Sequence, residues 1–421
     1  MNFAVISLVV LVCILFIGYK FKVNTGLLSI ACAMILGHLI GMKDKEIISG
    51  FATTLFVQLT GVMLLFSIAS ENNALQLIAK RAVAMAGKRT FLVPLIVYFV
   101  AVFMAAIGCG CVPVMSLMAV FCAALAAEMK VSPVLLIPMG LLGAQGGGTT
   151  PLTTTGILGA TLAAENGITE NVGFGLMMGQ FLCSTIFAIV LYIVLGGYKI
   201  KADNPLSMSD IPKMTGKQKL SCVAILCVAV CVLFFKFDVG LCSFVASVVL
   251  LLLKTADQKK AIQGIPWGTL LLVCGINVLM NIVIKAGGID LLANGLASIM
   301  TERTTIPLMG ITGGVMSWFS STSGVVMPTL IPTIAPLLAK MGQTNVTATA
   351  LVTAITATAH TAGVSPISSG GSMGLASYCS QTGCGEDEER KLFAGLFGVA
   401  IFGVVFCGIF GFLGGFSVFA H

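Results

Sequence analysis

Charge is scarce in this chain. Asp, Glu, Lys and Arg make up 9% of its 421 residues, where a soluble globular domain carries about a quarter, so a water-soluble globule is excluded. The net charge is +7, but no basic stripe comes with it. The Lys and Arg residues stand between apolar runs, which excludes a nucleic-acid partner and gives them a topological role instead. The runs themselves hold no Arg: Arg81, Arg89, Arg303 and Arg390 all flank them. No guanidinium is therefore available inside to clamp an anion. Nor does any Asp or Glu sit in mid-run, since Glu71, Asp238 and Asp290 fall near run ends. That argues against a sodium/proton antiporter, which needs an intramembrane carboxylate. The 14 cysteines are mostly single and in apolar surroundings, where they act as small hydrophobes. Cys379 and Cys384 flank a loop with no His or second Cys pair, which predicts neither a metal nor a disulfide there.

Apolar residues are abundant, at 57%, and the mean hydropathy is +1.06. Runs near the ~20 residues that cross a bilayer recur from end to end, predicting an all-α polytopic membrane protein. The 48 glycines suit close helix packing. The first run, 3–19, has no basic residue before it and no small-residue cleavage pattern after it. It reads as a span and not as a signal peptide.

Gly148-Thr149-Thr150-Pro151-Leu152-Thr153-Thr154-Thr155-Gly156 has a counterpart in Gly363-Val364-Ser365-Pro366-Ile367-Ser368-Ser369-Gly370-Gly371. The offset, 366 − 151 = 215, is close to half the chain. At an offset of 214, Gly26, Gly50 and Gly61 fall on Gly240, Gly264 and Gly275. Two repeats are predicted. Repeat 1 (1–200) holds scaffold spans 3–19, 25–41 and 50–69, an amphipathic stretch 73–87, a hairpin 91–127, a broken helix 131–164 and a span 172–197. A cytoplasmic linker, 201–216, follows. Repeat 2 (217–421) holds spans 217–235, 238–253 and 264–285, a stretch 289–300, a hairpin 305–340, a broken helix 345–378 and a span 391–418.

The hairpins break at Gly108-Cys109-Gly110-Cys111-Val112-Pro113 and at Ser320-Ser321-Thr322-Ser323-Gly324. Arms of about 15 residues or fewer predict that both are re-entrant. Five crossings per half is an odd number, which predicts that the repeats are inverted. Charge agrees. With both termini extracytoplasmic, the inner loops collect Lys20, Lys22, Lys80, Arg81, Lys88, Arg89, the linker lysines (Lys199, Lys201, Lys213, Lys217, Lys219) and Lys254, Lys259 and Lys260. The acidic run Glu386–Glu389 is then cytoplasmic, hairpin 1 opens to the cytoplasm and hairpin 2 to the outside.

Broken helices in a membrane are tolerated only where they line a polar cavity, and a matched pair is the best sequence pointer to a transporter's binding site. Free N–H ends suit an oxyanion, while free C=O ends with Ser and Thr hydroxyls suit a hard cation such as sodium. His360 stands just before the second break. It is either a proton-coupling group or a neutral His bonded to a nearby carbonyl. Gln58, Gln145, Asn277 and Asn281 are mid-membrane amides whose default role is interhelical hydrogen bonding. Ser321 or Ser323 with His360 could mimic a hydrolase dyad, but no Gly-x-Ser-x-Gly element is present, and a non-enzyme is expected.

Inverted repeats with a re-entrant hairpin and a proline-broken helix in each resemble the ion transporter superfamily. Within it, the divalent-anion/sodium symporters and the malonate/C4-dicarboxylate carrier-like permeases are nearest. Gly146-Gly147-Gly148-Thr149-Thr150-Pro151, Ser320-Ser321-Thr322-Ser323-Gly324 and Val364-Ser365-Pro366 carry the likeness. The resemblance implies an elevator-type homodimer in the plasma membrane that carries a small di- or tricarboxylate with sodium or, failing that, protons. An alternative is a proton-coupled or exchange carrier of another organic anion. It implies a substrate held by Cys109, Gly110, Thr149, Thr150, Pro151, Ser321, Thr322, Ser323, Ser365 and Pro366. It implies cations held by Gly108, Gly148, Thr153, Ser320, Gly363 and Ser368. The family's Ser-Asn-Thr tip is replaced here by Gly108-Cys109-Gly110 and Ser321-Thr322-Ser323. If only one cation site survives, it is expected at Ser365 and Ser321.

Overall fold

The computed structural model describes residues 3–21, 23–87, 89–200, 211–318, 320–342 and 345–420. Lys22, Lys88, Lys201 and most of the 201–216 linker lie outside the described residues, as does the Ser369 side chain. Each apolar run becomes a helix, started in most cases by a small polar residue. The first half runs α1 (Phe3–Phe21), α2 (Thr25–Leu39), α3 (Asp44–Ile48), α4 (Thr53–Glu71), α5 (Ala74–Ala84), α6 (Val93–Met104), α7 (Cys111–Met129), α8 (Pro133–Gly147), α9 (Thr154–Glu165) and α10 (Val172–Val194). The second runs α11 (Gly216–Phe235), α12 (Val239–Leu252), α13 (Gln258–Gln263), α14 (Trp267–Lys285), α15 (Gly288–Ile299), α16 (Glu302–Trp318), α17 (Met327–Leu330), α18 (Ile334–Met341), α19 (Ala348–Ala362), α20 (Ser369–Thr382) and α21 (Glu386–Phe412).

The element order duplicates. Adding 214 to the bounds of α4 gives 267–285, those of α14; adding 215 to the bounds of α8 gives 348–362, those of α19. Even the caps correspond. Asn24 accepts from the Gly26 amide at the start of α2, and Asp238, 214 residues on, accepts from the Leu241 amide at the start of α12.

Packing crosses between the halves: α2 lies on α14, and α4 on α12. Both contacts are made backbone to backbone at glycine. A Cβ on Gly26 would strike the Leu271 carbonyl, and one on Gly61 the Gly240 carbonyl. The two contacts exchange under the 214 offset. Around this frame, α6 and α7 pack on α8, α16 packs on α19, α7 packs on α20, and α10 touches both α8 and α19. Large apolar side chains such as Phe16, Phe234, Leu241 and Leu252 stay exposed on the outside, as they do where lipid is the solvent.

Seven helical stretches among the described residues are long and apolar enough to cross a membrane. Three are hairpin arms, Thr90–Cys109, Cys111–Met129 and Thr322–Met341, of 20, 19 and 20 residues. The expected arms of 15 residues or fewer are thus too short. Pro113 lies in the first turn of α7, where no intrahelical N–H is lost, so it starts that arm and does not truncate it. Conversely, α2 and α12 have only 15 and 14 residues.

A second correction concerns cysteine. Cys379 and Cys384 form a disulfide. Gly383, at φ 67°, ends α20 in the left-handed conformation and folds the chain back, so the two Cα atoms stand 4.8 Å apart. The missing His and second Cys pair spoke only to metal; a disulfide needs just this turn.

One cap ties the halves together. The Glu170 carboxylate, in the α9–α10 turn, accepts from the Ala348 amide (3.1 Å), the Thr349 amide (2.8 Å) and the Thr349 hydroxyl (2.7 Å) at the start of α19. Glu170→Ala should cost about 1–2 kcal/mol and lower the Tm of the purified protein. The exposed neighbour Glu165→Ala should leave Tm unchanged. Equal Tm values for the two variants would refute the cap.

Candidate functional site

The first half breaks twice. The chain leaves α6 through a single π-turn, Ala105–Cys109, then turns at Gly108 (φ 115°) and Gly110 (φ 75°) into α7. Both φ values lie where a side chain is strained, which accounts for the Gly-Cys-Gly tip. This tip rests on the loop between α8 and α9. Thr150 donates to the Ala106 carbonyl at 2.9 Å, and a Cβ on Gly110 would stand 3.2 Å from Thr154 Oγ1. The hairpin therefore turns back at the level of the break in its companion helix. Its full-length arms do not carry it past that point.

The second half repeats the arrangement with different chemistry. The Ser317 hydroxyl at the end of α16 donates to the Ala359 carbonyl at 2.6 Å and lies 3.2 Å from Thr322 Oγ1. Ser321 caps the π-turn Thr322–Val326 by accepting from the Gly324 amide at 3.2 Å. The Ser320 hydroxyl donates to the Met316 carbonyl at 2.6 Å. Ser365 is fully buried, donates to the Trp318 carbonyl at 3.5 Å and accepts from the Ile367 amide at 3.2 Å. A hydroxyl pair joins the halves at the breaks: Ser323 Oγ lies 3.3 Å from Thr155 Oγ1. Hairpin 2 thus touches both broken loops, while α7 of hairpin 1 packs on α20 beyond the second.

The structure brings most of the predicted residues into this convergence. Thr153 caps α9 by accepting from the Gly156 amide at 3.2 Å, and its hydroxyl is within 2.7 Å of the Gly148 and Thr150 carbonyls. Gly148 lies against Cys111, and Gly363 and Pro366 are buried in the second loop, where Ser368 starts α20. Pro151 and Thr149 line a cavity of about 280 Å³ together with Gln58 and Asp238, whose side chains bond at 2.6 Å. Cys109 and Cys111 are buried, and the Cys111 thiol points to Met115 Sδ at 3.2 Å, a packing arrangement. His360 is buried too. Its Nδ1 lies 3.3 Å from Gln180 Oε1, and Gln180 Nε2 donates to Ser184 Oγ at 2.9 Å. Its partner is therefore a side-chain amide and not a backbone carbonyl. With Ser321 and Ser323 bonded elsewhere, no serine–histidine dyad forms among the described residues.

Gln145 makes no interhelical hydrogen bond among the described residues, contrary to expectation. It is 1% exposed, yet neither polar atom of its side chain has a hydrogen-bond partner among the described residues. Nε2 stands 3.4 Å from where a Cβ on Gly363 would be, so the amide reaches from α8 to the second broken loop. The 215 offset places it on His360 (360 − 145 = 215). That coincidence, read off the repeat, would have set it apart from the other amides. The Thr149 hydroxyl, 1% exposed, is likewise unpartnered. Buried polar groups without partners are rare in native structures and cost about 1–3 kcal/mol each. Trp318 Nε1 and the Thr329 and Thr358 hydroxyls in the second half are unpartnered as well.

Gln145→Leu removes both orphaned atoms at nearly constant volume. Its Tm without ligand should match or exceed that of the parent, and stabilisation by a bound anion or sodium should fall sharply. A lower Tm in the absence of ligand would assign Gln145 to the fold.

Residues 1–148 match the family model for the N-terminus of the dicarboxylate carrier protein MatC, a stretch that ends with α8 and the first residue after it. Across nearly the whole chain the fold is similar to that of the YdaH transporter of Alcanivorax borkumensis. The TM-score is 0.57, with 90% of this chain and 89% of that chain covered at 14% sequence identity. No curated protein sequence matches the chain. Both likenesses are to transport proteins and neither is to an enzyme. The chain is a multi-pass membrane protein with a transporter fold, and its first third is similar to the MatC dicarboxylate carriers.

Proposed function

We propose that the protein is a cation-coupled carrier of small di- or tricarboxylates. Sodium is the proposed coupling ion, and an elevator movement of the hairpins and broken helices against the α2/α14 and α4/α12 frame is the proposed cycle. In this reading the two repeats are inverted in a plasma membrane, both termini are extracytoplasmic and the unit is a homodimer. The observation that carries the reading is the meeting of two broken loops and two hairpin tips at one place, with Gln145 and Thr149 left unpartnered there. At each break a helix ends and another begins, so carbonyl oxygens and amide hydrogens face the same small volume. The amide ends of α9 and α20 suit carboxylates. The carbonyl ends of α8 and α19, with the Thr149, Thr150, Ser321 and Ser365 hydroxyl oxygens, suit a hard monovalent cation. The match of the first third to dicarboxylate carriers favours the substrate class.

Gln145 and Thr149 offer polar groups to a cargo in repeat 1, although its hairpin tip lacks hydroxyls, and Trp318 Nε1 and the Thr358 hydroxyl are unpartnered in repeat 2 among the described residues. Ser321 and Ser365, expected to hold a lone cation site, already bond within the protein: Ser321 accepts from the Gly324 amide, and Ser365 both donates and accepts. Coupling through His360 is the weaker alternative, because that ring is buried against Gln180.

Reconstituted into liposomes, the protein should accumulate malonate, succinate or citrate when a sodium gradient is imposed, and stop when the gradient is collapsed. Thr150→Ala and Ser365→Ala should each raise the KM for the anion about tenfold, the loss of about one hydrogen bond. Absence of uptake of all three acids under both sodium and proton gradients would sink the proposal.

A further inference from the structure

A larger cavity, of about 900 Å³, lies apart from the broken loops. Its walls come from both moving and fixed elements of the proposed cycle: Met63 and Ser67 of α4 on one side, Val112, Pro113 and Ser116 of α7 on the other. Its α7 wall begins one residue after Cys111, which itself lies against Gly148 of the first broken loop. Lys80, Lys213 and Lys260 line it, and Glu71 is its sole carboxylate among the described residues, 3.9 Å from Lys260. The lining charge is therefore 3 − 1 = +2. The segment bearing Lys213 is held in place. Arg81 Nη2 donates to the Pro212 carbonyl at 2.9 Å, and Gln218 Nε2 donates to the Asn72 carbonyl at 2.9 Å.

The smaller cavity beside Thr149 and Pro151 has the opposite sign, with Asp238 its one charged lining residue among those described. The two cavities thus differ in polarity. Positive charges on low-dielectric walls raise the local concentration of anions and speed their capture. The effect grows with the anion's charge and is screened beyond about 8 Å at physiological salt. A volume of this size accommodates a small organic anion with its hydration water.

We infer that the Lys80–Lys213–Lys260 cavity is an electrostatic vestibule that collects a polycarboxylate anion, giving the carrier a lower KM on this face than on the Asp238 face. The inference rests on the reading of the protein as an anion carrier and adds a direction to it. The lysines act at a distance on approach, so neutralising them alters KM and leaves the maximal rate alone.

The test uses the full chain reconstituted in one orientation, with malonate, succinate and citrate offered from either side at low and at high salt. Three proteins are compared: the parent, a triple Lys80→Gln/Lys213→Gln/Lys260→Gln variant, and the corresponding triple arginine variant. At low salt the glutamine variant should raise the KM on the lysine face about threefold or more, most for citrate, with unchanged maximal rate and unchanged KM on the other face. Salt should erase the difference, and the arginine variant should behave as the parent. A parental KM in the glutamine variant, an equal shift on both faces, or an arginine variant that matches the glutamine one would overturn the vestibule. A parent protein that moves none of the three acids defeats the reading as a carrier. The vestibule is then judged by thermal stabilisation with citrate. Stabilisation weakened by salt and lost in the glutamine variant upholds it, and its absence in the parent overturns it.

Discussion

A helix that stops inside an apolar slab leaves amides and carbonyls with no water to satisfy them, and the architecture of this protein answers that constraint. Four breaks are needed to expose polar backbone at the centre of the chain's fold, and each must be closed without being sealed. Glycine at positive φ turns hairpin 1, hydroxyls close the π-turn of hairpin 2, and each tip then rests on the broken loop of its companion helix. The crossed frame of α2 with α14 and α4 with α12 supplies rigid support, because glycine lets those backbones touch directly.

The two halves answer the same constraint unequally. In the second, Ser317, Ser320, Ser321 and Thr322 spend their hydroxyls on local carbonyls, caps and one another, and His360 is held by Gln180. In the first, glycine does the turning and asks nothing of its neighbours. Gln145 and Thr149 are left over. Counting hydroxyls in the sequence points to the second half as the binding half; the unpartnered groups in the structure fall in both halves, with Gln145 and Thr149 in the first and Trp318, Thr329 and Thr358 in the second. The unpartnered groups are the physically relevant ones, since a group already bonded to the protein has less to offer a guest.

Much of this was legible in the sequence, because both the apolar runs and the repeat are one-dimensional signals. The helix order, the paired breaks at Pro151 and Pro366 and the amide bond from Gln58 all follow from spacing and composition. What was not legible depends on three-dimensional neighbours. Pro113 reads as a break until it is seen in the first turn of α7. Cys379 and Cys384 read as unrelated until Gly383 folds one toward the other. Glu170 reads as an ordinary loop acid, yet it caps a helix 178 residues away. Gln145 has the same composition signal as Asn281, and apart from its repeat position opposite His360 only its lack of a hydrogen-bond partner among the described residues distinguishes it.

The brevity of α2 and α12 has a consequence for the lipid. At about 1.5 Å per residue, 15 and 14 residues rise only about 22 Å, against a hydrocarbon core of about 30 Å. Both helices carry exposed apolar side chains, Leu27 and Met34 on one and Leu241 and Leu252 on the other. A bilayer wetting that surface is drawn thin beside the frame, at a cost that rises with every ångström of mismatch. Membrane thickness thereby becomes a thermodynamic partner of this protein.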